Sequence, residues 1–316
     1  MRVTGSQGRP KADYAPSSVD HLTDAQLMTV LSEGRRRYHP GAIALTDHVF
    51  RVNETIVAKY CRDYGALPSD ALPSEALTLD LVFHHTRIPV PRVRRVVHPD
   101  KTPAAWVFMD RIPGKQLSAV WPTMSVAERL RVVFTLRDYV RQLQAIRHPR
   151  AAVPGPVAPG TDVRHCISPV FGQVIDVRGP FASYDKLSSW FDQAQRLVTR
   201  NTQQALQSPL HHISFKTLMG TSPLVLCHQD LHMRNIIVGD DGRLWLIDWE
   251  FAGFYPPWFE YLAMKEQSRN EERVMNREEP FWDLMIPFIC GPHYREEAWM
   301  RCSINIALDY RFEEQR

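Results

Sequence analysis

Between Leu224 and Glu250 two apolar runs, residues 236–238 and 243–247, are joined by the turn Gly239-Asp240-Asp241-Gly242, in a half of the chain otherwise patterned for helices. Apolar runs around a Gly-and-Asp turn read as a β-hairpin. A hairpin brings the chain back to where it left, so residues at its open end meet. Asp230, Asn235 and Asp248 can therefore converge although 18 residues separate the outer pair. A lone Asp at a strand end is more often a helix cap or a solvated acid. Here polar groups fall at both ends of apolar strands, where a rigid scaffold can carry chemistry. Asp, Asn and Asp offer hard oxygen donors, a set that suits Mg²⁺, which usually shares the phosphates of a substrate.

The segments upstream alternate between strands and helices. Residues 1–20 are rich in Gly, Ser, Pro and charge and read as a flexible tail. A capping box, Thr23-Asp24-Ala25-Gln26, opens a helix with Leu27, Val30 and Leu31 on one face, expected to stop at Gly34. The runs 42–52 and 55–60 read as strands around an Asn53-Glu54 turn. Pro73-Ser74 begins a helix through Leu79, Val82 and Phe83 that must end before Pro89. Residues 92–97 and 104–112 read as strands flanking the turn at 98–103, and Pro113-Gly114 closes the series. Beyond it the chain turns helical. The clearest helix opens with the capping box Ser125-Val126-Ala127-Glu128 and presents Leu130, Val133, Phe134, Val140 and Leu143, followed by a Pro-rich loop over 147–163. The expectation is an α+β, bilobal molecule: a tail to residue 20, a small sheet-bearing lobe over 21–112, and a mainly helical lobe over 113–316.

Composition narrows the chemistry. There are only 15 glycines in 316 residues, and neither GxxxxGK[ST] nor GxGxxG occurs, which excludes the glycine-rich ways of cradling phosphate. A net charge of +3 and a short basic run, Arg35 to Arg37, imply neither a nucleic-acid nor a membrane surface. Five cysteines with no CxxC pair read as reduced thiols. With no run of roughly 18 apolar residues and no apolar leader, the chain is expected in the cytoplasm.

The segment HQDLHMRNIIV, followed by IDWEFAGFYPPW, resembles the HxDxxxxN loop and the following Asp motif of the aminoglycoside phosphotransferase and choline kinase-like family, on the protein-kinase-like fold. It looks like the kinase-like members of filamentous fungi. Thr55-Ile56-Val57-Ala58-Lys59 is similar to the VAIK strand, Glu75 stands at the start of the helix that follows it, and residues 108–114 look like the hinge. The resemblance covers about residues 40 to 262. It implies an ATP- and Mg²⁺-dependent transfer of the γ-phosphoryl group to a hydroxyl of a small molecule. Asp230 then matches the catalytic aspartate, Asn235 and Asp248 the metal ligands, and Lys59, paired to Glu75, the lysine on the α- and β-phosphates. The backbone of Arg111 and Ile112 matches the hinge that binds the adenine edge.

Other residues in the segment take quieter readings. His228 matches a structural brace. His228 and His232 stand four apart, but Gln229 replaces the Glu of a zinc HExxH helix. Arg234 can pair with phosphate or with a nearby carboxylate, and the aromatic run from Trp249 to Tyr261 reads as core packing. Gln229 and Glu250 stand where relatives commonly carry Gly. The phosphate-covering turn lacks glycine and falls to Thr46-Asp47-His48, with Asp47 a source of repulsion toward a triphosphate. Three other classes share the fold: a silent binding module, a protein kinase and a nucleotidyl transferase. No APE-like segment follows Asp248, and the acidic residues between 270 and 279 are mixed with Arg273 and Arg277, which argues for a metabolite acceptor over an aminoglycoside.

Overall fold

The computed structural model describes residues 16–38, 48–62, 70–99, 104–172, 177–201, 210, 212–219, 223–275 and 279–308. The chain divides into two compact units: residues 1–129 with 233–250, and residues 130–232 with 251–316.

In the first unit an antiparallel sheet of order β1-β2-β4-β3 is built from β1 (Val49–Arg51), β2 (Ile56–Arg62), β3 (Val93–Val97) and β4 (Ala104–Asp110). The β1–β2 turn is held by Asn53, whose Oδ1 accepts from the amides of Thr55 and Ile56 at 2.9 Å each. This is the Asx geometry that makes Asn a turn residue. Side chains alternate across β2. Ile56 and Ala58 face one side with Phe108 of β4 and pack under α1 (Asp24–Tyr38), whereas Lys59 lies on the other side with α2 (Ser74–His85).

The Thr23 capping box forms, with the Thr23 amide donating to Gln26 Oε1 at 2.8 Å. α1 does not stop at Gly34, however, but continues to Tyr38. The glycine serves proximity instead, because a Cβ there would sit 2.4 Å from the Val52 carbonyl oxygen. α2 is buried nearly all round and ends at Thr86, whose amide and hydroxyl both bond the Val82 carbonyl, at 3.0 and 2.7 Å.

A second sheet of this unit has the order β5-β8-β9, from β5 (Gly114–Gln116), β8 (Ile236–Gly239) and β9 (Leu244–Leu246). β8 and β9 are the expected hairpin, with Ile236 opposite Leu246. Leu224 to Cys227 take no part in it. β7 (Val225–Cys227) lies in the other unit, paired with β10 at the edge of a sheet of order β6-β10-β7 formed with β6 (Gly155–Pro156) and β10 (Gly253–Tyr255).

After the short α3 (Leu117–Val120), α4 (Val126–Ala145) opens at the Ser125 capping box. Its buried face is Val132, Val133, Leu136, Tyr139, Val140 and Leu143. Leu130 and Phe134, expected on that face, are exposed, and the Phe134 ring meets Phe288 at 5.0 Å. The remaining helices are α5 (Tyr184–Asn201), α6 (Phe215–Met219), α7 (Phe259–Met275), α8 (Pro280–Cys290), α9 (Tyr294–Ser303) and α10 (Asn305–Leu308). Aromatic rings fill the core between them. Phe191 stacks on Phe215 at 4.6 Å, and Tyr255 on Phe259 at 5.5 Å. Of the aromatic run after Asp248, Trp249, Phe254, Tyr255, Trp258, Phe259 and Tyr261 are buried, as read from sequence, whereas Phe251 is half-buried. Among the described residues no helix is long and apolar enough to cross a membrane.

Candidate active site

In the first unit β2 carries Lys59 inward, where its side chain is 7% exposed. Its Nζ lies 2.8 Å from Glu75 Oε2, at the start of α2, and 2.6 Å from Asp248 Oδ1. A third carboxylate, Glu250, approaches to 3.4 Å. Asp248 reaches this position from a left-handed backbone, φ 64°, which an L residue rarely adopts. Glu75 is held from two further sides, by the Trp249 amide at 3.2 Å and the Cys61 thiol at 3.3 Å.

One ammonium therefore faces three carboxylates, and this imbalance governs the local protonation. Burial by itself would lower the Lys59 pKa, but the charges of Glu75 and Asp248 outweigh it and hold the pKa well above the ordinary lysine value. Burial pushes the Glu75 carboxyl up; Lys59 opposes the shift, and Asp248 and Glu250 add to it. The excess negative charge invites a cation. One oxygen from each of Glu75, Asp248 and Glu250 lies within 4.8 Å of the others, a hard-donor set that fits Mg²⁺. Asn235 stands at the same open end of the hairpin, its carbonyl accepting from the Ile247 amide at 3.0 Å, one residue before Asp248.

Arg111 and Ile112, the expected hinge residues, present a division of labour. The Arg111 amide donates to the Thr55 carbonyl at 2.7 Å, and its Nε to the Glu54 carbonyl at 2.8 Å. That amide is thus committed to the turn between β1 and β2, and the Arg111 carbonyl and the Ile112 amide are the groups the pair can offer a base. Both residues also line a cavity of about 470 Å³ with Thr55, Arg94, Asp110 and Trp245. Asp110 pairs opposite Ile56, so it belongs to the α1 side of the sheet and not to the side of Lys59. Of the expected phosphate turn, Thr46 and Asp47 lie outside the described residues. The His48 carbonyl accepts from the Tyr60 amide at 2.8 Å.

Asp230 belongs to the second unit, in the loop after β7. The His228 and Gln229 amides both donate to the buried carboxylate of Glu260, in the first turn of α7, and the Asp230 amide donates to His228 Nδ1 at 3.2 Å. His228 is fully buried and acts as a brace, as expected. Gln229 is left-handed, φ 67°, a backbone region that favours Gly. The Asp230 carboxylate accepts from Gln267, two turns further along α7. Burial lifts the Glu260 carboxyl to about 7, with the Asp230 charge adding and the two amide bonds opposing.

Sequence reasoning singled out Lys59, Glu75 and Asp248, which the structure brings together, and placed Asn235 beside them on the hairpin. It missed Glu250 as a contact of Lys59, Glu260 as the anchor of the loop, and Gln267 as a partner of Asp230. For Glu250 the acid two residues after Asp248 was a visible signal. For Glu260 and Gln267 the only trace is two polar residues seven apart in a helix, which by itself reads as a solvated stripe.

Residues 44–273 match the family model described as the phosphotransferase enzyme family. No curated protein sequence matches the chain. Among solved structures, the GDP complex of wild-type aminoglycoside 2'-phosphotransferase-IIIa is similar with a TM-score of 0.52 at 12% identity, over 88% of this chain and 87% of that one. The gentamicin complex of APH(2")-IIa is similar with a TM-score of 0.51 at 13% identity, over 89% and 86%. At such identities the likeness is one of fold, the protein-kinase-like fold expected from the motifs.

Proposed function

The chain belongs to the phosphotransferase enzyme family, and from that premise we propose that it transfers the γ-phosphoryl group of ATP to a hydroxyl of a small-molecule metabolite, with Mg²⁺ as cofactor. The observation that carries this reading is the Lys59, Glu75 and Asp248 cluster, an ammonium fixed by one carboxylate and presented beside another. Phosphoryl transfer asks little covalent chemistry of a protein, so positioned charge is what a site must supply. Lys59 takes the α- and β-phosphates, held against its own flexibility by Glu75. Asn235 and Asp248 would hold the metal ion, which when bound neutralises the phosphate oxygens. The Arg111 carbonyl and the Ile112 amide take the base edge.

Asp230 orients the acceptor hydroxyl and takes its proton. The acceptor oxygen forms its bond to the γ-phosphorus as the bond to the β,γ-bridging oxygen breaks, and ADP leaves with that electron pair. The small-molecule acceptor is supported by the family and by the gentamicin complex of a neighbour of the same fold. A metabolite is favoured over an aminoglycoside because the acids late in the chain are not a cationic-drug surface: Glu271 is buried, and Glu272 stands exposed beside Arg273. A cytoplasmic setting follows from the chemistry, since ATP is the phosphoryl donor.

Screening cell-extract fractions for acceptor-stimulated ADP release, with ATP and GTP compared, tests the reading. Folded Asp230→Ala should lose the stimulated release. Stimulated release that survives unchanged in that variant sinks the assignment.

A further inference from the structure

The catalytic loop of the second unit is gripped from one helix face. On α7, Glu260, Gln267 and Glu271 stand seven and four residues apart, the spacing that stacks side chains on one side of a helix. All three are buried, at 1%, 8% and 5% exposure. Glu260 takes the His228 and Gln229 amides, Gln267 bonds Asp230 Oδ1, and Glu271 stands 3.9 Å from His232 Nδ1. Polar residues on the inward face of a core helix are costly unless they are satisfied. Glu260 and Gln267 find their partners in the loop, at residues 228, 229 and 230.

Resting on the assignment of Asp230 as the group that receives the acceptor proton, we propose that Gln267 is its positioning residue, fixing the carboxylate through Oδ1 so that the acceptor hydroxyl meets it in one orientation. An ionised carboxylate only accepts, so the contact must come from the amide nitrogen of Gln267. A neutral donor suits the task. It fixes the rotamer as an arginine or lysine would, without the full opposing charge that would depress the basicity of the carboxylate. The groups around Asp230 include Glu260, whose carboxyl its charge pushes up, and the His228 ring, whose Nδ1 accepts from its amide. Backbone anchoring by Glu260 fixes where residue 230 begins, and the Gln267 contact fixes where its side chain ends.

Full-length wild type, Gln267→Leu, Gln267→Glu and Asp230→Asn provide the test, with Mg·ATP and water as the acceptor in an ADP-release assay. Gln267→Leu should lower kcat by about 10-fold to 100-fold, the cost of a misplaced catalytic group. KM for ATP should stay unchanged, because the Lys59 cluster is untouched. A second readout does not depend on turnover. In protein with ¹³C-labelled aspartate carboxyls, the resonance missing from Asp230→Asn reports the titration of Asp230. It should move to higher pH in Gln267→Leu and further in Gln267→Glu, where a like charge replaces the donor.

Unmoved titration in both variants, with wild-type circular dichroism, overturns the proposal. So does a Gln267→Leu enzyme with wild-type kcat while Asp230→Asn is inactive. Wild-type release by Asp230→Asn instead overturns the catalytic assignment of Asp230, and the titration still decides whether Gln267 holds its carboxylate.

Discussion

Lys59 is the residue on which the first unit's chemistry and part of its stability both depend. Its ammonium is buried among Glu75, Asp248 and Glu250, so removing it leaves three carboxylates without their counter-charge, one of them in the core. Breaking one side of a buried ion pair costs about 3–5 kcal/mol. Lys59→Met should therefore lower the urea midpoint markedly as well as abolish stabilisation by nucleotide. Glu75→Gln keeps the shape and a hydrogen-bond acceptor, and its loss in midpoint should be smaller. Lys59 and Glu75 were legible because their residue types and spacing matched a known strand and helix start. The left-handed Asp248 and the 3.4 Å approach of Glu250 were not, because φ and side-chain direction at a turn depend on what the turn packs against.

At the scale of the element, α1, α4 and α7 each separate local signal from packing. The capping boxes of α1 and α4 were readable because a cap is made within four residues. Gly34 was misread as a stop because its contact is with Val52, brought near only by the sheet. Gly34→Ala should place a methyl against that carbonyl and destabilise by about 1–3 kcal/mol, seen as a lowered melting temperature. On α4, mixed 3 and 4 spacings allow two overlapping faces, and the neighbours chose the one through Val133 and Leu136. Leu136→Ala should cost about 2–5 kcal/mol in chemical denaturation. Phe134→Ala, on the exposed side, should cost no more than about 1.5 kcal/mol, the worth of its contact with Phe288.

α7 carries the pH dependence. The Glu260 carboxyl is raised from its ordinary 4.5 to about 7, so its contribution to stability is fully present below about 4.5. As pH rises through about 7, the folded state must hold a buried charge that the unfolded chain solvates, and that contribution is lost. Glu260→Gln cannot ionise. Between pH 5 and pH 8 the wild type should lose more of its urea midpoint than the variant does.

For the whole molecule, mass action supplies the test of nucleotide binding. A ligand that binds only the folded state at 100 times its Kd stabilises by about 2.7 kcal/mol. Mg·ATP should raise the melting temperature of the wild type, EDTA should reverse most of the shift, and Asp248→Asn should abolish it. An equal shift without Mg²⁺ would count against the metal role of the hairpin end.

Residue types at short spacings determined the fold class, the β8–β9 hairpin and the family, because turn chemistry, capping and strand alternation act over a few residues. The shortage of glycine also belongs to the sequence, and it removed the glycine-rich phosphate cradles from consideration. Tertiary structure alone decided that Val225 to Cys227 pair with β10 and not with the hairpin, that Gly34 lies inside a helix, and that Glu260 and Gln267 grip the loop around Asp230. Each of these joins residues more than 15 positions apart in sequence. Such contacts form only when burial of apolar faces makes up for the entropy of closing the chain between them, and no local pattern encodes that balance.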